Sequence, residues 1–274
     1  MIPNIELNDK KSIPQLGFGT FLVEPDQAER VVSEALEVGY RHIDTAAFYG
    51  NEEGVGRAIN NSGIPREEIF LTTKLWNDRH EDADVALNES LERLGMEYVD
   101  LYLIHWPLPR NNKYITAWNT MAEQREKGLT RSIGVCNFMP EHLDNLVTST
   151  DVVPVVNQIE LHPWMQQKDT RATAKKHGIA IESWHPLGQM KKDLTEFPAI
   201  TDAAEAHGKS AAQVMIRWHL QNGLIVFPKT NHKERMQENF EVFDFELSDD
   251  QMSAIEAMDQ GDEGRIGFHP NERE

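Results

Sequence analysis

Four residues of this sequence could together transfer a proton. Asp44, Lys74 and His105 each come at the end of a different apolar run, and Tyr49 follows Asp44 by five positions. A carboxylate and an ammonium can both be buried when they pair. An ammonium beside a phenol stabilises the phenolate, so we expect Lys74 to lower the pKa of Tyr49 from its usual value of about 10. Tyr49 is then a candidate general acid, and His105 could orient a carbonyl group or share the proton.

Two other interpretations of these residues stay open. In a purely structural one, Asp44 and Lys74 form an ion pair, Tyr49 is a half-buried aromatic and His105 is a histidine of the core. In the other, Lys74 is the nucleophile of a Schiff-base aldolase. The nearby carboxylate of Asp44 argues against the aldolase, because it should keep the lysine charged and unreactive.

Short apolar runs alternate along the chain with longer stretches of helical periodicity. The predicted strands are 16–19, 41–44, 69–74, 99–105, 132–136, 155–159, 180–183 and 224–227. The predicted helices are 26–38, 53–61, 84–94, 113–127, 140–149, 169–177, 198–222, 233–239 and 248–258. This alternation implies parallel strands, because each helix must carry the chain back across the sheet.

Eight strand–helix units predict an α/β fold, a closed (β/α)8 TIM barrel, with an open doubly wound sheet as the alternative. Residues 2–14 predict a β-hairpin that precedes the barrel, and the glycine-rich tail after residue 259 is expected to be mobile and to fold over the barrel mouth. No linker or change of composition divides the chain, so residues 1–274 are expected to form a single domain. The chemistry of such a barrel belongs at the carboxyl ends of its strands.

The composition excludes several classes of function. Asp and Glu number 45 against 27 Lys and Arg, and a net charge of −18 repels nucleic acid and anionic membranes. The single cysteine cannot form an intrachain disulfide, and the first residues lack the apolar core of a signal peptide, so we expect a cytoplasmic protein. No apolar run approaches the ~20 residues of a membrane span, and the histidines show no metal-ligand spacing. A small-molecule partner without a metal is therefore favoured.

Six segments, in order, resemble the aldo-keto reductase family. They are HIDTAAFYGNE (42–52), LTTKLW (71–76), LIHWP (103–107), SIGVCNF (132–138), NQIELHP (157–163) and FPKT (227–230). Two more, ESWHPLGQ (182–189) and GRIGFHP (264–270), are most similar to the bacterial 2,5-diketo-D-gluconate reductases. The resemblance implies a monomeric, NADPH-dependent reductase of aldehydes or ketones, with 2,5-diketo-D-gluconate or related keto sugars as candidate substrates. It assigns catalysis to Asp44, Tyr49, Lys74 and His105, with Tyr49 as the proton donor.

The same resemblance implies which residues hold the cofactor and the substrate. The cofactor-binding set is Thr20, Phe21, Cys136, Asn137, Gln158, Trp184, Leu187, Gly188, Gln189, Lys229, Thr230, Asn231, Arg235, Glu238 and Asn239. The substrate-contacting set is Phe21, Phe48, Trp76, His105, Trp106 and Trp184, with Phe268 of the tail as a further candidate. One observation supports the cofactor independently: Lys229, His232, Lys233 and Arg235 form a basic cluster in an acidic chain, as a 2′-phosphate requires.

A non-catalytic alternative also fits the resemblance. An aldo-keto-like subunit could bind NADP(H) as a redox sensor for a partner protein. The complete set Asp44, Tyr49, Lys74 and His105 argues against it, because a sensor would not need a proton donor.

Departures from the family pattern predict the cofactor preference. His232 replaces a frequent arginine, so the attraction for a phosphate is weaker. Cys136 replaces a common serine, so a weak thiol donor takes the place of a strong hydroxyl donor. We therefore expect NADPH to be preferred and NADH to be used measurably. Steady-state kcat/KM values for the two cofactors test this expectation, and equal values would contradict it.

Overall fold

The computed structural model describes residues 2–273, without the side chain of Met190. A short antiparallel hairpin comes first and is formed by β1 (Asn4–Glu6) and β2 (Ser12–Pro14). Eight parallel strands follow, in the order of the chain. They are β3 (Phe18–Gly19), β4 (His42–Asp44), β5 (Phe70–Leu75), β6 (Val99–Ile104), β7 (Thr130–Cys136), β8 (Val156–Glu160), β9 (Ala180–Trp184) and β10 (Ile225–Val226).

The first and last strands meet and close the barrel. The Gly17 N–H donates to the Val226 carbonyl at 2.9 Å, and the Val226 N–H donates to the Gln15 carbonyl at 3.0 Å. Leu16 and Val226 form a parallel bridge beside β3. The predicted (β/α)8 barrel with its N-terminal hairpin is confirmed, and the doubly wound alternative is wrong.

Helices lie between the strands and cover the outside of the barrel. They are α1 (Ala28–Val38), α2 (Glu52–Asn61), α3 (Ala83–Leu94), α4 (Tyr114–Glu126), α5 (Pro140–Ser149), α6 (Lys168–Lys176), α7 (Pro198–His207), α8 (Ala211–Gln221), α9 (Lys233–Phe240) and α10 (Asp249–Glu256). The apolar residues of a helix that covers a barrel recur with helical periodicity, because one face of the helix packs against the strands. In α1, the predicted apolar stripe from Ala28 to Leu36 is buried.

One predicted helix, 198–222, was wrong in its extent, because the structure divides it into α7 and α8. Gly208 ends α7 in the left-handed region, at φ 61°, where glycine has no steric penalty. Ser210 then begins α8 with a capping box, in which its hydroxyl accepts from the Gln213 N–H and the Gln213 side chain accepts from the Ser210 N–H.

The tail lies over the mouth of the barrel, and hydrogen bonds hold its first half there. A 3₁₀ turn, Gly261–Gly264, follows α10. The N–H groups of Ile266 and Gly267 then donate to the carboxylate of Glu160, the last residue of β8, at 2.5 and 2.9 Å. The expectation of a mobile segment did not anticipate this anchor. No helix within residues 2–273 is both long and apolar enough to span a bilayer.

Helices α2 and α3 approach each other closely at Gly56. A Cβ atom on this residue would lie 2.0 Å from the Leu94 carbonyl oxygen, which belongs to the backbone at the end of α3. Only a hydrogen atom fits there, so the glycine sets the distance between the two helices.

Substituting Gly56→Ala should therefore destabilise the protein. Helix propensity alone would favour alanine by about 1 kcal/mol, but the clash with backbone should lower the free energy of unfolding by about 1–3 kcal/mol. Urea unfolding measures the difference, with Asn61→Ala on the exposed end of α2 as a control that changes it by less than about 0.5 kcal/mol. An unchanged or higher stability of Gly56→Ala would show that the helices are not in contact here.

Candidate active site

The side chain of Lys74 is the centre of a hydrogen-bonded cluster inside the barrel. Its Nζ atom donates to both oxygens of Asp44, at 2.8 and 2.7 Å, and to the Thr45 carbonyl at 2.9 Å. It also lies 3.2 Å from the Tyr49 hydroxyl oxygen. The lysine belongs to β5, and its side chain is fully buried. Burial alone would lower the pKa of Lys74, but the Asp44 charge raises it above its usual value, so the ammonium stays charged.

The expected direction of the Tyr49 pKa was wrong. Burial raises this pKa well above 10, and although Lys74 lowers it, the lysine does not cancel the effect of burial. The reason is that the phenolate would lose its hydration while sharing one ammonium with Asp44. Tyr49 is consequently protonated at neutral pH, as a proton donor must be. Because Lys74 donates to the tyrosine oxygen, the hydroxyl hydrogen remains available to another acceptor.

His105 follows β6 and lies at the rim of the same cluster. Its ring centroid is 5.9 Å from that of Tyr49 and 5.0 Å from that of Trp76. Burial lowers its pKa well below 6.5, and the charges of Lys74 and Arg273 lower it further. The imidazole is therefore neutral at physiological pH, and it can hydrogen-bond a carbonyl oxygen without adding a charge.

A second layer of polar groups supports Asp44 from the interior. The Gln158 amide nitrogen donates to Asp44 at 2.8 Å and to Glu182 at 3.0 Å. The Asn137 amide nitrogen donates to the His105 carbonyl at 2.9 Å, and the Trp184 indole N–H donates to the Asn137 oxygen, also at 2.9 Å. These bonds fix the orientation of both amides.

A cavity of about 630 Å³ opens above this cluster. One end is aromatic, where the rings of Phe48 and Trp76 stack with centroids 3.7 Å apart. Another part of the wall is polar and basic and contains Gln189, Lys191 and Lys229. A cavity of this size is typical of a site for a small organic molecule.

The cavity brings together all six residues of the predicted substrate set, and also Phe268. Of the predicted catalytic residues, Asp44, Tyr49 and His105 line it, and Lys74 lies directly behind them. From the predicted cofactor set it is lined by Phe21, Asn137, Gln158, Trp184, Leu187, Gln189 and Lys229. The remaining members, which do not line it, are Thr20, Cys136, Gly188, Thr230, Asn231, Arg235, Glu238 and Asn239.

Those remaining residues lie in three places, one of which is the 3₁₀ turn Gly188–Met190 after β9, where Gly188 is found. Thr20 and Cys136 are buried in the barrel wall, where the Thr20 hydroxyl donates to the Asp44 carbonyl. The others, apart from Gly188, lie on α9 or just before it, close to Lys229 in the sequence. Within the predicted basic cluster, Lys229 donates to the Leu22 carbonyl at 3.0 Å, and Lys233 pairs with Glu37 at 2.6 Å.

The sequence reasoning missed two charged residues of the site. Glu182 is fully buried beneath Gln158, and Arg273 lines the aromatic end of the cavity. The sequence contains a signal for Glu182, because a glutamate within the apolar segment 180–184 is unusual. It contains no signal for Arg273, which lies near the end of the tail among other charged residues.

A closed barrel with such a cluster at the carboxyl ends of its strands defines a class of oxidoreductases, and the comparisons agree. The chain belongs to the aldo-keto reductases: the model of the "Aldo/keto reductase family" matches residues 15–260. The protein is an NADP-dependent oxidoreductase, and its cofactor is NADP(H).

Several relatives match almost the whole chain. An aldo-keto reductase of Mycolicibacterium smegmatis is 53% identical, over 98% of each protein. Methylglyoxal reductase DkgA of Escherichia coli is 48% identical, over 98% of this chain and 97% of that protein. The crystal structure of a Gox0644 mutant in complex with NADPH has a TM-score of 0.94 and 46% identity, and covers 100% of this chain and 99% of that one.

The charge state of Glu182 should be visible in the stability of the protein. Burial, with the Asp44 charge, raises the Glu182 pKa from 4.5 to about 8. Between these values the folded state keeps a proton that the unfolded chain releases, so the free energy of unfolding falls as pH rises. Glu182→Gln cannot titrate, and its stability relative to the wild type should rise by up to about 1.4 kcal/mol per pH unit.

Urea unfolding between pH 5 and 8 measures this difference. Glu89→Gln is the control. Hydrogen bonds from Arg79 hold the Glu89 pKa below its usual value, and the guanidinium partner does not titrate in this range. The stability of this variant relative to the wild type should therefore be independent of pH between 5 and 8. A pH-independent difference for Glu182→Gln would mean that Glu182 is ionised throughout.

Proposed function

We propose that the protein reduces the carbonyl group of a small aldehyde or ketone, with Tyr49 as the proton donor. The observation that carries this proposal is the position of the Lys74 ammonium, which contacts both Asp44 and the Tyr49 oxygen at the floor of a cavity flanked by His105. The direction of these bonds leaves the tyrosine proton facing a ligand rather than the lysine.

Each residue of the cluster has a distinct part in this reaction. The carbonyl oxygen accepts a hydrogen bond from the neutral His105 and the proton from Tyr49. Lys74 stabilises the negative charge that the tyrosine oxygen acquires as the proton leaves. Asp44 holds the ammonium in place, and Gln158 holds Asp44. The charge on the substrate oxygen is thereby neutralised without water.

NADPH, when bound, supplies the hydride for the carbonyl carbon. The residues present fit this cofactor, because the lining of one cavity combines the amides of Asn137 and Gln158 with the ammonium groups of Lys191 and Lys229. We assign the nicotinamide to Asn137, Gln158 and Trp184, with Phe21, Thr20 and Cys136 beside them. The remaining assignments are Leu187, Gly188 and Gln189 to the diphosphate, Lys229, Thr230, Asn231 and Arg235 to the 2′-phosphate, and Glu238 and Asn239 to the adenine.

The candidate substrates are small dicarbonyl compounds. Relatives 46–49% identical to this chain are named methylglyoxal reductases, and segments 182–189 and 264–270 resemble the 2,5-diketo-D-gluconate reductases. Aromatic walls from Phe48, Trp76 and Trp106 suit either a flat carbonyl or the face of a sugar ring. The proposal includes both substrate classes. It further describes the protein as a monomer with a single domain, residues 1–274, that is located in the cytoplasm.

The two other functions considered above are less well supported. An aldolase needs a neutral lysine, whereas Asp44 keeps Lys74 charged. A redox sensor needs no proton donor, yet the Tyr49 hydroxyl is placed beside the cavity with its proton available.

Tyr49→Phe tests the proton donor directly. The variant keeps the ring but loses the hydroxyl, so kcat for methylglyoxal reduction should fall by about 10²–10⁴. NADPH binding, measured by quenching of tryptophan fluorescence, should stay within about twofold. Tyr98→Phe is the matched control, because Tyr98 precedes β6 at the opposite end of the barrel, where its hydroxyl accepts from Arg131. Full activity of Tyr49→Phe would refute the assignment.

A further inference from the structure

The guanidinium of Arg273 lies inside the aromatic end of the cavity. Its central carbon is 4.5 Å from the ring centroid of Phe268, 5.7 Å from that of Trp106 and 5.8 Å from that of Trp76. The three rings enclose the cation from different elements: the tail, the segment after β6 and the segment after β5. Arg273 is therefore part of the cavity wall rather than a freely solvated surface residue.

This cation has no acidic partner within residues 2–273. The chain has 45 acidic residues, yet no carboxylate of the described part pairs with Arg273, and its Nε atom is buried without a hydrogen bond. Other arginines of the chain do pair; Arg265, eight residues earlier in the same tail, pairs with Asp262. Contacts with aromatic faces offset part of the cost of desolvating a guanidinium, but they leave its hydrogen-bond donors unused.

The unpaired cation is close to the reacting groups. Trp76 contacts both Arg273 and His105, so one indole ring separates the guanidinium from the imidazole. The positive charge of Arg273 also contributes to the lowered pKa of His105, as expected for two groups in the same cavity. A substrate whose carbonyl oxygen lies at Tyr49 and His105 could therefore extend its far end to Arg273.

We propose that Arg273 binds a carboxylate of the substrate and that the preferred substrates are accordingly oxo acids, with the carboxylate several bonds from the carbonyl. A carboxylate is the expected ligand, because the planar pair of N–H donors of a guanidinium forms two charge-assisted hydrogen bonds with the two carboxylate oxygens. The local cation also offsets the repulsion that a chain of net charge −18 exerts on any anionic substrate. This inference rests on the proposed function and narrows its substrate class: it favours keto-sugar acids over neutral methylglyoxal.

Two aldehydes of similar shape test the inference. 4-Carboxybenzaldehyde carries the anion, and 4-methylbenzaldehyde is its neutral counterpart. The wild type should show a lower KM for the charged aldehyde. Arg273→Met, which retains a long apolar side chain for the aromatic rings, should raise that KM by about 10- to 100-fold while changing the KM of the neutral aldehyde by less than about threefold. Arg273→Lys, which retains the charge without the planar pair of donors, should recover part of the loss.

Two further measurements separate a binding role from a structural one. Arg265→Met removes a cation from the same tail outside the cavity and should leave both KM values unchanged. Binding of terephthalate to the NADPH-loaded enzyme, followed by tryptophan fluorescence, should weaken in Arg273→Met and not in Arg265→Met. Unfolding midpoints of the variants establish that each one is folded.

The outcomes distinguish failure of this inference from failure of the proposed function. If the wild type oxidises NADPH with neither these aldehydes nor methylglyoxal, carbonyl reduction itself is wrong. If it reduces methylglyoxal alone, terephthalate binding decides, and equal binding to the wild type and to Arg273→Met refutes the carboxylate site. If it reduces both aldehydes, and Arg273→Met shifts the two KM values equally or not at all, the carboxylate site is refuted while the reductase assignment stands.

Discussion

The buried ion pair between Lys74 and Asp44 is the interaction on which the site depends. Removing either charge from water costs several kcal/mol, which only close pairing and additional hydrogen bonds can offset. The barrel provides both: the two residues lie on adjacent strands, β4 and β5, and the Thr45 carbonyl and the Gln158 amide complete the coordination. The ammonium is then held at a fixed point, 3.2 Å from the Tyr49 oxygen.

The charges of the inner cluster nearly balance, and that balance explains its protonation states. Asp44 neutralises Lys74, so a second buried anion would have no counterion, and Glu182 accordingly keeps its proton at neutral pH. The same reasoning keeps His105 neutral, because a second buried cation would face Lys74 and Arg273. Tyr49 also stays protonated. In the proposed reaction, the phenol of Tyr49 then carries the proton to be transferred, and the ammonium of Lys74 stabilises the anion that the transfer leaves.

The sequence predicted most of the fold and of this cluster, but not its electrostatics. Eight apolar runs with helical stretches between them imply the barrel, and barrel topology brings the polar ends of the runs together. Gly208 and Ser210, the signals that divide α7 from α8, are present in the sequence, although the predicted helix 198–222 ran across them. The direction of the Tyr49 pKa could not be predicted, because it depends on burial set against one shared ammonium. The place of Arg273 depends on how the tail folds back, and a local pattern carries no information on that.

The proposed catalytic residues and the proposed carboxylate site come from different parts of the chain, and Glu160 connects the two parts. The proposed proton-transfer groups belong to strands and to the segments directly after them, whose positions the hydrogen-bonded barrel fixes. Arg273 and Phe268 come from the tail, which the Glu160 carboxylate holds through the N–H groups of Ile266 and Gly267. Because that carboxylate lies at the end of β8, the tail is positioned by the same sheet that positions Lys74. If the tail binds the substrate as proposed, substitutions in it alter which carbonyl compound is bound while Tyr49 and the Lys74 ammonium remain in place.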